Sequence, residues 1–164
     1  MAAGKSTIGA RLAQRLGWEF VDLDRVIEET ERMAVAEIFS RSGQAVFRNA
    51  ETAALDQVLA GTKKSIMLAI GGGGFASKEN QALLQQAGAV TVYLDAPIDE
   101  LWIRATAAGA PERPLLRDRT TFGALWQSRI EQFHRAQYEY STAGKNVETC
   151  VTDIEQMLQS KGVL

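Results

Sequence analysis

The chain has 164 residues, 46% of them hydrophobic and 23% charged, with a formal net charge of -2. That is the make-up of one ordinary globular unit and excludes a disordered or fibrous chain. The charge balance argues against bulk attraction to nucleic acid or anionic lipid. No apolar run approaches the ~20 residues of a membrane span. The single cysteine, Cys150, can form neither an internal disulfide nor a structural zinc site.

The first element carries chemistry. Gly4-Lys5-Ser6-Thr7 reads as the tail of a phosphate-binding loop. Glycine lets backbone N–H groups curl around phosphate oxygens, lysine reaches the terminal phosphates, and the Ser hydroxyl ligates magnesium. A helix is expected here, with its positive end at the phosphates. Ile8, Leu12 and Leu16 recur at helical spacing, and Gly17 is its stop. The complete motif needs another glycine five places before Gly4, and only the second half is present.

Trp18–Leu23 reads as a short strand ending in acidic residues. Helices are predicted over 25–40 and 44–59, the second with Val46, Ala50, Ala54 and Val58 on one stripe and Gly61 at its end. Ser65–Ile70 is a continuous apolar run, as for a strand buried on both faces. It stops at Gly71-Gly72-Gly73-Gly74. A short helix follows over 78–87, then a strand over Ala89–Leu94. Pro97 opens a helix carrying Ile98, Leu101 and Ile103. Residues 107–118 read as a mobile loop. A long helix is predicted over 122–140, a last strand over Asn146–Val151, and a final helix carrying Ile154, Met157 and Leu158. Strands alternating with helices imply an α/β fold, a parallel sheet covered on both faces. There is no internal repeat, and the chain reads as a single domain over 1–164.

Five features fall at strand ends or on nearby helices and loops, where open α/β sheets bind ligands. They are G-K-S-T, D-L-D at Asp22–Asp24, F-R-x-x-E at Phe47–Glu51, the glycines 71–73, and R-P-L-L at Arg113–Leu116. In that order, over nearly the whole chain, they resemble the shikimate kinase family. The resemblance implies the three-layer P-loop kinase fold, with strand order 2-3-1-4-5 and a lid at 107–118. It implies phosphorylation of the 3-hydroxyl of shikimate by ATP with Mg2+, in chorismate and aromatic amino acid biosynthesis. Gly4, Lys5, Ser6 and Thr7 would hold the ATP phosphates, with Ser6 and Asp22 at the metal. Asp24 would bind shikimate hydroxyls and accept the proton of the attacking one. Arg48 would pair with the shikimate carboxylate, and Gly71, Gly72 and Gly73 would offer backbone contacts. Arg113 would reach the transferring phosphate from the lid. A second arginine would grip the carboxylate; Arg135 is the candidate, three residues before Tyr138, with Arg129 as the alternative. Arg104 lies near where the family often places an adenine-packing arginine.

The chemistry stands beside the resemblance. Phosphoryl transfer needs positioning and cations around the moving group, and paired arginines grip a carboxylate in a plane that lysine does not reproduce. Glu51, three residues after Arg48, is expected to orient it. Each feature alone has a plainer reading. Asp22 and Asp24 suit turn and N-cap positions, and Arg48–Glu51 suits an exposed helix pair worth under ~1 kcal/mol. His134 is read as a surface or packing residue, Trp102 and Trp126 as packing, and Cys150 as core.

In the family's order the first strand lies centrally, and the segment that would supply it is absent. The strands over 65–70 and 89–94 are therefore expected to face a gap, and the chain as given to bind ATP poorly and fold weakly alone. A gluconate kinase-like enzyme of the same fold is the alternative, and a non-catalytic paralogue a third reading. The expected setting is a cytoplasmic monomer acting on small molecules, without nucleic-acid or membrane partners.

Overall fold

The computed structural model describes residues 2–61, 64–107 and 118–164. The lid expectation and Arg113 fall on 107–118, which lies almost wholly outside the described residues. Helix α1 (Lys5–Leu16) starts after Gly4, which takes the left-handed conformation at φ 87°, and ends at Gly17, φ 67°. Those two backbone turns are what glycine permits. Ile8 and Leu12 are buried and pack with α9 (Val147–Ser160) through Cys150, Val151, Ile154 and Leu158.

Strand β1 (Glu19–Asp22) pairs in parallel with β2 (Ile66–Ala69), from Glu19↔Ile66 to Asp22↔Ala69. Strand β3 (Val92–Asp95) pairs in parallel with β4 (Tyr138–Ser141), from Val92↔Tyr138 to Asp95↔Ser141. Parallel neighbours require long crossovers, and helices supply them. Among the described residues these are two separate two-stranded sheets. Between the inner edges of β2 and β3 lies a cavity of about 760 Å3, lined by Met67, Leu68, Val92 and Leu94 with Ile8, Leu12, Ile154 and Leu158. This is the gap expected where the family's central strand would run.

Helix α2 (Leu23–Glu31) ends at Arg32, left-handed at φ 52°. The helix predicted over 25–40 is therefore broken there. Helix α3 (Val35–Gly61) kinks at Gly43, φ 79°, between the two predicted segments. Its buried face is Phe47, Glu51, Ala54 and Leu55, whereas Val46 is 49% exposed. The predicted stripe was rotated by one position because a charged residue, Glu51, occupies the inner face. Phe47 meets Phe39 at 4.5 Å between centroids, and α2, α3 and α5 (Lys78–Gln86) enclose one apolar cluster.

The glycine run forms one helical turn, α4 (Gly72–Phe75). Helix α6 (Ile98–Thr106) buries Leu101 and Ala105 but leaves Ile103 66% exposed. The C-terminal third departs most from expectation. The predicted helix over 122–140 is instead α7 (Arg119–Gln127), α8 (Ile130–Phe133) and β4. The break falls at Ser128–Arg129, where Arg129 takes φ -117°. Tyr138-Glu139-Tyr140-Ser141 alternates in burial and so suits a strand. The strand predicted over 146–151 is the start of α9. There Asn146 caps the helix by accepting from the Thr149 N–H at 2.9 Å, and the four-residue spacing of Cys150, Ile154 and Leu158 builds its buried face.

Candidate active site

The phosphate side is built where α1 begins. No side-chain hydrogen bond from Gly4 caps α1, and the start of a helix is its positive end, which favours an anion. Lys5 is half-buried, while Ser6 and Thr7 are exposed. Strand β1 delivers Asp22 to the same place. The Ser6 hydroxyl donates to Asp22 Oδ2 at 2.6 Å, and Asp22 Oδ1 accepts from the Asp24 N–H at 3.1 Å. Asp22 is thus the N-cap of α2 and also the link between α2 and α1. Leu23, fully buried, turns away from both aspartates into the α2–α3 core.

Asp24 faces the cleft. Its side chain is open to solvent, yet the surrounding protein withdraws water enough to raise its carboxyl above the ordinary 3.8. Desolvation is the largest cause and the neighbouring Asp22 the next, with Lys5 and Arg48 pulling the other way. A carboxyl raised in this way is a better proton acceptor than a free aspartate.

The acceptor side comes from α3 and the glycine turn. Arg48 forms an ion pair with Glu51, and Glu51 is 1% exposed. Burial raises the Glu51 carboxyl, and the Arg48 charge opposes that rise. This is a sheltered pair, not the exposed helix pair that sequence spacing alone favours. The glycines explain its fit. A Cβ on Gly73 would overlap the Arg48 guanidinium, and one on Gly74 would lie 2.6 Å from Glu51 Oε1. On Gly72 it would lie 3.0 Å from Phe133 Cζ, and on Gly71 3.8 Å from Asp24 Oδ1. Gly73 and Gly74 are therefore required for the close approach of Arg48 and Glu51.

The two candidate second arginines, Arg135 and Arg129, are placed differently. Arg135 is exposed, and its Nη1 donates to Gln81 Oε1 at 3.5 Å. Arg129, partly buried, stands in the field of both Arg48 and Glu51; burial first, then Arg48, holds its guanidinium below the ordinary range. Ser128–Arg129 forms a turn between α7 and α8, and α8 ends at Phe133, so Arg135 lies beyond the helix rather than on one long helix with Arg129. Phe133, four residues after Arg129, is buried against Gly72 and braced by Tyr93 at 5.2 Å between centroids. Sequence reading missed Phe133, and its i+4 spacing from Arg129 was the available signal.

The remaining expectations are simple. His134 pairs with exposed Glu139 at 2.6 Å, a surface role. Arg104 donates to Thr142 Oγ1 at 2.8 Å and to the Thr142 carbonyl at 3.0 Å, tying α6 to the turn after β4. Cys150 is core.

Parallel strand pairs, a Gly-Lys-Ser helix start and an Asp-x-Asp at a strand end define the class: a P-loop kinase. Within it, the chain belongs to the shikimate kinase family, whose model, described as "Shikimate kinase", matches residues 1–159. A shikimate kinase of Geobacter sulfurreducens is 40% identical over 157 residues, covering 94% of this chain and 84% of the relative. One of Ruegeria pomeroyi is 37% identical over 161 residues, covering 96% and 77%. Among solved structures, "Shikimate kinase from Acinetobacter baumannii in complex with shikimate" superposes with TM-score 0.90 at 30% identity, covering 100% of this chain and 91% of that one. The Bacteroides thetaiotaomicron shikimate kinase gives TM-score 0.85 at 27% identity.

Proposed function

We propose that this chain transfers the terminal phosphoryl group of ATP to the 3-hydroxyl of shikimate. One juxtaposition carries the reading: the Arg48 guanidinium lies over Gly73, its partner Glu51 lies against Gly71 and Gly74, and Asp24 lies beside Gly71, with Arg129 in the field of Arg48 and Glu51. The Lys5–Ser6–Asp22 group adjoins them through Asp22 and through the charge of Lys5 on Asp24. An acceptor with a carboxylate at one end and ring hydroxyls at the other matches that layout.

Arg48 and Arg129 bind the carboxylate, and Glu51 fixes the Arg48 fork. Arg129 takes the role expected of Arg135. Asp24 holds the attacking hydroxyl and accepts its proton. Lys5 and the first-turn amides of Gly4–Thr7 face the ATP phosphates and draw charge toward them. Arg113 is assigned to the transferring phosphate by its place in R-P-L-L. The donor set suits Mg2+: the Ser6 hydroxyl and the Asp22 carboxylate are hard oxygen donors brought to one place, 2.6 Å apart. Ser6 and Asp22 would hold it, and it supplies charge neutralisation at the phosphates.

We assign the protein to the cytoplasm as a monomer acting on small molecules. The net charge of -2 supports the absence of a nucleic-acid or lipid partner. Among the described residues no helix is long and apolar enough to cross a membrane. The test is ADP formation with ATP and Mg2+, with shikimate or gluconate offered as acceptor. Saturable dependence on shikimate is expected. A preference for gluconate would overturn the assignment of substrate.

A further inference from the structure

The acceptor site is assembled from two elements that no ladder joins: α3, which carries Arg48 and Glu51, and α4, which carries the glycines. Their separation matters, because the guanidinium of Arg48 fills the space over Gly73, and Glu51 lies against Gly71 and Gly74. Asn80 sits between them. It is 0% exposed, and both ends of its amide are used. Its Nδ2 donates to the Gly74 carbonyl at 3.0 Å, and its Oδ1 accepts from Thr52 Oγ1 at 2.8 Å. Thr52 is the residue next to Glu51 on α3. The adjacent Gln81 donates from Nε2 to the Phe75 carbonyl at 2.9 Å. A one-turn helix leaves its last carbonyls short of partners, and α5 supplies side-chain donors to two of them. Gly74 O also accepts from the Ser77 N–H at 3.2 Å, so the Asn80 bond is not needed merely to satisfy that carbonyl.

We infer that Asn80, with Thr52, is a positioning residue for the acceptor substrate: it clamps the glycine turn to α3 at the distance the Arg48–Glu51 pair requires. The inference rests on the proposed reading of this cleft as the acceptor site. Buried amides held at both ends fix relative position more sharply than apolar contact, because their bonds are directional. The phosphate side stands on α1 and β1, which the clamp does not touch. The two substrates should therefore respond differently.

The test uses Thr52→Val, Thr52→Ser and Asn80→Asp in the full chain. Thr52→Val keeps the shape and removes the hydroxyl, and Thr52→Ser keeps the hydroxyl. Asn80→Asp keeps the acceptor for Thr52 and removes the donor to Gly74. The expected result is a shikimate KM raised five-fold or more in Thr52→Val and Asn80→Asp, with the KM for ATP changed less than two-fold and Thr52→Ser near wild type. A parallel measurement is amide hydrogen exchange at residues 72–75. It should quicken in Thr52→Val and Asn80→Asp, while exchange in α1 stays unchanged. Equal shifts in both KM values, or Thr52→Ser as impaired as Thr52→Val, would overturn the clamp, as would unchanged exchange at 72–75. If the wild-type chain turns over no shikimate, the acceptor reading fails by itself, and exchange at 72–75 still decides the clamp.

Discussion

Arg129 and Arg135 are six residues apart; Arg129 lies in the field of the Arg48–Glu51 pair, and Arg135 is exposed with its guanidinium on Gln81. A charge-assisted hydrogen bond contributes about 1.5–3 kcal/mol, or roughly ten- to 150-fold in binding. Arg129→Ala is therefore expected to raise the shikimate KM by at least ten-fold, and Arg135→Ala by less than about two-fold, in steady-state assays. Asp24 allows a prediction with two signs. Its carboxyl is raised chiefly by desolvation and then by Asp22. For a carboxyl whose folded pKa exceeds its unfolded value, ionisation costs the folded state. That cost is present above the raised pKa and fades as pH falls through it. Asp24→Asn should thus hold or raise Tm at neutral pH while lowering kcat by ~10²–10⁴-fold. In the wild type, the acid limb of the kcat profile should lie above the ordinary 3.8 of an aspartate. A fall in Tm with kcat unchanged would contradict both halves. At this scale the sequence was most informative where residue type and chemistry coincide, as at Lys5, Ser6, Asp22, Asp24 and Arg48. It was silent on Asn80, because an amide carries no signature until the fold brings it to the glycine turn, and Phe133 was marked only by its i+4 spacing from Arg129.

Helix α3 and the glycine turn set the geometry of the acceptor side as elements. Gly73 has no room for a methyl group, because the Arg48 guanidinium occupies that space. Gly73→Ala is expected to displace Arg48 and raise the shikimate KM ten-fold or more, with Tm falling by only a few degrees. If KM stays unchanged, the packing account of the glycines fails. Elements with a strong period or a firm stop were legible in the sequence: α1 with Gly17, β1 into Asp22, β2 into the glycines, and α6 after Pro97. The region after 127 was not. Ser128–Arg129 breaks the helix without a glycine or proline to mark it. The apolar start of α9 reads equally as strand or helix until the Asn146 cap and the α1 contacts decide. Tertiary packing chose between local states that propensity leaves nearly level.

The two parallel strand pairs face each other across the cavity of about 760 Å3, with β2 and β3 paired on one side only among the described residues. Open strand edges and unfilled apolar volume both cost stability. An engineered extension before Ala2, five apolar β-branched residues long, would reach this space from Ala3, which lines it. It is expected to raise Tm by more than ~5 °C, since 1 kcal/mol moves Tm by ~2–4 °C at this size. An unchanged Tm would mean that the cavity does not accept a strand. The β1–β2 side was legible because apolar runs ending at Asp22 and at the glycines alternate with helices, whereas β4 on the other side was read as helix. If Asp24, Arg48 and Arg129 serve the acceptor of a shikimate kinase, turnover must depend on shikimate and on Arg129. The most direct measurement is the initial rate of ADP formation against shikimate concentration, with wild type and Arg129→Ala run side by side. A saturable rate, with the variant's KM raised ten-fold or more, is the predicted result. A rate that ignores shikimate, or a variant with wild-type KM, would contradict it.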